Sequence, residues 1–212
     1  MTTSEARRID THLHVVPPAY AAWLASRGIN AGGRAIPEWT VPTALALMEA
    51  AGVATGILSV STPGAHLGDD GEAREKAREL NEFCAQVVRG TPGRFGYFAT
   101  LTLPDVEGAI AEARHAFDVL GADGVVLLAN VRGTYLGDPA WEPLMAELNA
   151  RQAVVFVHPS SLPCAPVPGI APFVADFLLD TTRAAINLAR HGTLERYPAL
   201  KIILSHAGGF VP

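Results

Sequence analysis

Two histidines one residue apart, His12 and His14, lie in the short apolar stretch "RIDTHLHVVP" that runs from Arg8 to Pro17. In a strand, residues two apart point to the same side, about 6.5–7 Å apart along the chain. An extended segment therefore puts Asp10, His12 and His14 on one face and Thr11 and Leu13 on the other. Neutral imidazole is the commonest protein ligand for zinc and related divalent ions, so two on one face are the beginning of a metal site. The remaining ligand and a proton-carrying group have to come from elsewhere. The chain holds seven histidines, and two more end apolar runs: His158 in "AVVFVHP" and His206 in "KIILSH". Strand parity groups Val154 and Phe156 with His158, and Ile202 and Leu204 with His206. His12, His14 and His158 then make a three-nitrogen metal site, and His206 stands beside it as general acid or base.

That expectation needs elements that bring the three runs together. Six apolar runs recur: "IDTHLHVV", "VATGILSV", "RFGYFATL", "GVVLLAN", "AVVFVHP" and "KIILSH". They are rich in Val, Ile, Leu and Phe, as parallel strands covered on both faces are. Between them lie "TALALMEAAG", "GEAREKARELNEFCAQVVRG", "VEGAIAEARHAFDVLG", "WEPLMAELNARQ" and "FVADFLLDTTRAAINLARHG", with apolar residues at helical spacing. Several end in Gly, and Pro104, Asp105 and Pro139 stand where helices begin.

Strands alternating with helices predict a parallel α/β fold, and in a barrel the C-terminal strand ends form the active-site face. The expected architecture is a (β/α)8 TIM-barrel type with about six strands in this chain, residues 1–212 forming one domain. The alternative, an open doubly wound sheet for dinucleotides, lacks its glycine-rich turn after the first run.

Composition sets outer bounds. The chain has 212 residues, 49% hydrophobic and 17% charged, with a net charge of −5, as a globular domain with one sizeable core would have. Scattered arginines and no basic run argue against a nucleic-acid partner. The longest apolar runs are too short for a bilayer of roughly 30 Å, and "MTTSEARRID" is not a secretory leader. The two cysteines, Cys84 and Cys164, suit free thiols in a reducing cytoplasm.

The other histidines differ in standing. His115 falls inside a helical pattern and is expected to be solvated. His191 sits at a helix end, where a cation is favoured. His66 follows the second run on the active-site face and is a candidate to touch substrate. A second metal would need a bridging lysine after the fourth run, but the only lysines are Lys76 and Lys201. One metal ion is expected.

Beyond these readings, the chain resembles a known family. "DTHLHVVP", "GDPAWEPLMAELNARQAVVFVHP" and "LDTTRAAINLARHGTLERYPALKIILSHAGGF" are similar to stretches of the amidohydrolase-related family typified by aminocarboxymuconate-semialdehyde decarboxylase. The group includes γ-resorcylate and 5-carboxyvanillate decarboxylases. The resemblance implies that His12, His14 and His158 bind one divalent ion, zinc or alternatively manganese, that His206 is catalytic, and that Arg34 in "GGRAI" binds the substrate carboxylate. It also implies a last metal ligand, an aspartate on the eighth strand, for which Asp69, Asp70, Asp176 and Asp180 are no substitutes, since they start or lie in helical patterns.

The activity so implied is non-oxidative decarboxylation of a small aromatic or unsaturated carboxylic acid by a homo-oligomer. CO2 leaves, and His206 helps place a proton on the carbon that carried it. The same ligands could activate water against a lactone, ester or amide, which makes hydrolysis the alternative. A further alternative is a non-catalytic fragment or pseudoenzyme: "SHAGGFVP" follows the sixth run directly, and a six-stranded barrel leaves sheet edges and apolar surface uncovered. On that reading the chain alone is poorly soluble or oligomeric, and has little activity.

Overall fold

The structure is a computed structural model that describes residues 8–30, 35–165 and 167–211. Six strands form one sheet: β1 (Arg8–His14), β2 (Val53–Ser59), β3 (Phe95–Thr100), β4 (Gly124–Leu128), β5 (Val154–His158) and β6 (Lys201–Leu204). They lie side by side in chain order, and every neighbouring pair is parallel. The helices are α1 (Pro18–Ser26), α2 (Val41–Ala51), α3 (Asp70–Gly90), α4 (Val106–His115), α5 (Glu142–Ala150), α6 (Asp176–Arg190) and α7 (Thr193–Arg196). The sheet curls so far that the rings of His12, on β1, and His206, just past β6, stand 5.0 Å apart between centroids. The expected barrel with six strands present is what the chain forms.

Local sequence accounts for most boundaries. Thr40 and Thr43 cap the start of α2 reciprocally, and Gly52 ends it in the left-handed region at φ 64. Asp69 caps α3 through the Glu72 N–H, and Asp105 caps α4 through the Gly108 N–H. Pro159, which has no N–H for the ladder, closes β5.

Three elements escaped the pattern reading, and the last of them along the chain is the single-turn α7. The first is α1, apolar over most of its length, with no side-chain cap. The second is a small antiparallel ladder, Asn130–Val131 with Thr134–Tyr135, in the loop after β4. The expected long helix after β3 is α4 followed by a π-helical turn over Ala116–Leu120. His115, at that junction, is not fully solvated: its Nε2 is buried and has no hydrogen-bond partner among the described residues.

Alternation divides the core in two. On the outer side of the sheet, Leu58, Tyr97, Val125, Val155 and Val157 pack with helix residues such as Leu80, Ala109, Leu144 and Leu148. Inside the curl, Phe98, Val126 and Phe156 pack with Ile57, Val154 and Ile203, a layer of the kind that fills a barrel interior. This corrects the parity expected for β6. Ile203 faces inward, while Ile202 and Leu204 join the outer core. His206 still reaches the interior because the strand ends at Leu204 and the backbone then turns, with His206 and Ala207 at φ 52 and 53. A non-glycine residue there is strained and persists only where its surroundings hold it.

Candidate metal centre

The inner layer is the floor of a cluster of imidazoles. His12 stands on Phe156, with ring centroids 5.1 Å apart, and Phe156 in turn stacks on Phe98 at 5.6 Å. The centroid distances are 4.7 Å for His12 to His14, 5.2 Å for His12 to His158 and 4.7 Å for His14 to His158. His206 joins from 6.0 Å away from His158. Parity on β1 and β5 and the curl of the sheet are what bring these side chains together.

Their chemistry fits a cation. One nitrogen each of His12, His14 and His158 lies within 4.8 Å of the others, and among the described residues no carboxylate joins that group. The Nδ1 atoms of His14 and His158 face backbone carbonyls, Ser59 O at 3.3 Å and Pro159 O at 2.8 Å. A carbonyl only accepts, so each Nδ1 carries the proton and each Nε2 keeps its lone pair, the arrangement that orients a metal-binding histidine. The Nε2 atoms of His12 and His14 are 3.0 Å apart, close to the separation of two nitrogens that each stand about 2.0–2.1 Å from one zinc ion.

The electrostatics agree. Burial, aided by the charges that His14 and His206 would carry, pushes His12 down to about 4 against the opposing pull of Asp10. Burial also lowers His14, His206 and, furthest, His158, to which His14 and His12 add. All four are therefore neutral near pH 7, the form that offers a lone pair. The buried Nδ1 of His206 has no hydrogen-bond partner among the described residues.

A cavity of about 380 Å³ opens beside the cluster, lined by Pro63, His66, Leu103, Leu128, Asn130 and Ser160, among others. Leu128 is the ladder partner of His158, so the cavity adjoins the cluster, and it has the volume of a small-molecule pocket. His66 contributes its ring, but its nitrogens are engaged within its own loop. Nε2 faces Asp70 Oδ1 at 2.8 Å, and Nδ1 accepts from the Gly68 N–H. Arg34, the other candidate for substrate binding, lies outside the described residues.

Sequence reasoning passed over what holds the strand ends. Asp180 is fully buried in α6 and accepts from Asn130 Nδ2 and the Ser160 N–H, both at 2.8 Å. Burial pushes its carboxyl upward, and these hydrogen bonds oppose the shift. Phe177, one turn earlier, lies 6.3 Å from both His158 and His206. The signal was the "FLLDTT" spacing, which puts Phe177, Asp180 and Thr181 on one helix face.

The sequence and the fold have counterparts among known proteins. The family model for amidohydrolases matches residues 9–212. A 6-methylsalicylic acid decarboxylase of Aspergillus aculeatus is 37% identical over 97% of this chain and 64% of its own length. A solved amidohydrolase II is 33% identical, with a TM-score of 0.91 over 96% of this chain and 68% of that one. A dihydroxybenzoic acid decarboxylase from Polaromonas sp. JS666, solved with manganese and the inhibitor 2-nitroresorcinol, is 26% identical, with a TM-score of 0.76 over 95% of this chain and 66% of that one. The chain spans 59–65% of the length of the curated relatives it matches over 97% of itself. The chain belongs to the amidohydrolase family.

Proposed function

We propose that this protein is a metal-dependent carboxy-lyase that removes CO2 from a small aromatic carboxylic acid without oxidation. The observation that carries the reading is the convergence of His12, His14 and His158 with His206 around one point inside the curled sheet. The decarboxylases among its relatives support the reaction and the aromatic substrate. His12, His14 and His158 hold the ion, which when bound supplies positive charge to draw substrate oxygens and to stabilise developing negative charge. Three imidazoles favour zinc, and manganese is the alternative.

The protein's own residues do the rest. Phe156 and Phe98 close the floor against water. Pro63, Leu103 and Leu128 give the cavity an apolar wall for a ring, and His66 and Arg34 are the substrate-binding candidates. The bond from the ring carbon to the carboxyl group breaks, CO2 leaves, and a proton takes its place on that carbon. His206 is neutral and its Nδ1 has no hydrogen-bond partner among the described residues, so it can take up a proton and hand it on. Residues 1–212 act as one domain. The exposed Val167, Ile170, Val174, Phe210 and Val211 support assembly into a homo-oligomer. Free Cys84 and Cys164 are consistent with the cytoplasm, and among the described residues no helix is long and apolar enough to cross a membrane.

The test is metal content by elemental mass spectrometry on protein purified without chelator, then CO2 release from 6-methylsalicylate and dihydroxybenzoates by the zinc- and manganese-loaded chain. Metal uptake and CO2 release support the proposal. Ester or lactone cleavage without CO2 would replace it with hydrolysis. Bound metal without turnover of any kind would leave a metal-binding protein that is not a catalyst.

A further inference from the structure

We infer that one stretch of α6, Phe177 to Thr182, is a positioning platform that sets His158 and His206 relative to each other. This rests on the roles given to the two histidines above. The two side chains come from different strands: His158 is the last ladder residue of β5, and His206 lies just past the end of β6. Something else must hold each turn.

On the β5 side the holder is Asp180. Its Oδ2 accepts from the Ser160 N–H at 2.8 Å, in the same turn whose Pro159 carbonyl accepts from His158 Nδ1 at 2.8 Å. Its Oδ1 accepts from Asn130 Nδ2 at 2.8 Å, and that amide also donates to Ser161 O at 3.1 Å. The carboxylate thus joins the turn after His158 to the loop after β4. Without it the Pro159 carbonyl is free to swing, and the tautomer and direction of His158 go with it.

On the β6 side the holders are the next two residues. Thr181 Oγ1 pairs with Ser205 Oγ at 3.3 Å, and Thr182 Oγ1 accepts from the Phe210 N–H at 2.8 Å. Ser205 and Phe210 bracket the turn that carries His206 in its left-handed conformation. That turn lies so close to the helix that a Cβ on Gly209 would overlap Leu178 O and crowd Thr182 Oγ1. Phe177, on the same helix face, lies near both imidazoles.

A helix that only covered the sheet would present apolar residues here. Each of Asp180, Thr181 and Thr182 is instead buried, and a buried polar group is costly unless its hydrogen bonds are made. These bonds run in two directions from adjacent positions, to the two turns that carry the site. A rigid helix segment linking them makes the distance between His158 and His206 a property of α6 rather than of two independent loops.

The experiment uses the whole metal-free chain with 15N-labelled histidine, observed by NMR, together with zinc affinity measured by chelator competition. Asp180→Asn keeps the volume but puts an amide donor against a donor. It is expected to move the His158 imidazole signals and weaken zinc binding by roughly 10–100-fold, as loss of a group that orients a ligand does. Thr182→Val is expected to move the His206 signals and leave zinc affinity unchanged, while Thr182→Ser restores them. Leu148→Ala, a core change on α5, should lower the melting temperature without moving either set.

If Asp180→Asn does not fold, Asn130→Ala takes its place with the same expected direction. The inference is overturned if Asp180→Asn leaves both zinc affinity and the His158 signals unchanged. It is overturned equally if Thr182→Val weakens zinc binding as much as Asp180→Asn does, or if Leu148→Ala reproduces their effects. Zinc binding unaffected by His158→Ala would instead count against the metal site, and the imidazole signals of the metal-free protein would still decide the platform.

Discussion

The Nε2 atoms of His12 and His14 face each other at 3.0 Å from same-face positions on β1. Two neutral imidazoles come that close either by sharing one proton or by sharing one cation. His14 already has its Nδ1 against Ser59 O, so its Nε2 is the acceptor in the first case and a ligand in the second. The pair exists because both residues belong to β1, beside a register irregularity between Asp10 and Leu13, and because burial keeps both rings uncharged.

Metal binding should depend on all three nitrogens. Alanine at His12, His14 or His158 is expected to lower zinc content from about one ion per chain to less than about a tenth, since two imidazoles do not retain the ion through purification. Elemental mass spectrometry on each variant checks this. Full occupancy in any one of them would remove that residue from the site.

Stability of the metal-free chain should fall as pH drops from about 6.5 to about 4. The histidines of the cluster titrate below their ordinary value when folded, so across that window the unfolded chain binds more protons than the folded one. Above pH 6.5 both states are neutral and this contribution is flat. Urea unfolding at a series of pH values gives the slope, and His158→Gln should make it shallower. An unchanged slope would mean that carboxylates alone account for the acid sensitivity.

Phe156 is 1% exposed and supports His12 from below. Phe156→Ala should cost about 3–5 kcal/mol of stability, the range for emptying a large core site. It should also loosen zinc binding, because His12 loses the ring it rests on. Denaturant titration and chelator competition on the same sample separate the two effects.

Gly209 has φ 68 and no room for a side chain against α6. Gly209→Ala should cost about 1–3 kcal/mol through backbone conformation alone, and the clash with Leu178 O adds to it. Chemical denaturation measures the loss. A neutral result would mean that the turn after β6 can move away from the helix at no cost.

Much of the fold was legible because its signals are local. Alternation of apolar runs with helical spacing marked all six strands and most of the helices, and Asp69, Asp105, Gly52 and Pro159 mark boundaries through backbone chemistry that acts over a few residues. α1 was missed because its short sequence is apolar nearly all round and has no cap to announce it. The inward face of β6 was misassigned because parity was carried past Leu204, where the strand ends and the backbone enters the left-handed region.

The sequence by itself determined which residues could meet. The one-residue spacing of His12 and His14 puts both on one face of β1, and the same alternation puts His158 on the Phe156 face of β5. Those are consequences of extended backbone geometry, which repeats every two residues whatever surrounds it. Only the tertiary structure decided that they do meet. The curl that carries β1 toward β6, the Phe98 and Phe156 floor, the carbonyls that choose the tautomers of His14 and His158, and the reach of Asp180 across to Ser160 all join residues far apart in the chain. Such contacts depend on packing between whole elements, and no spacing within a single run encodes them.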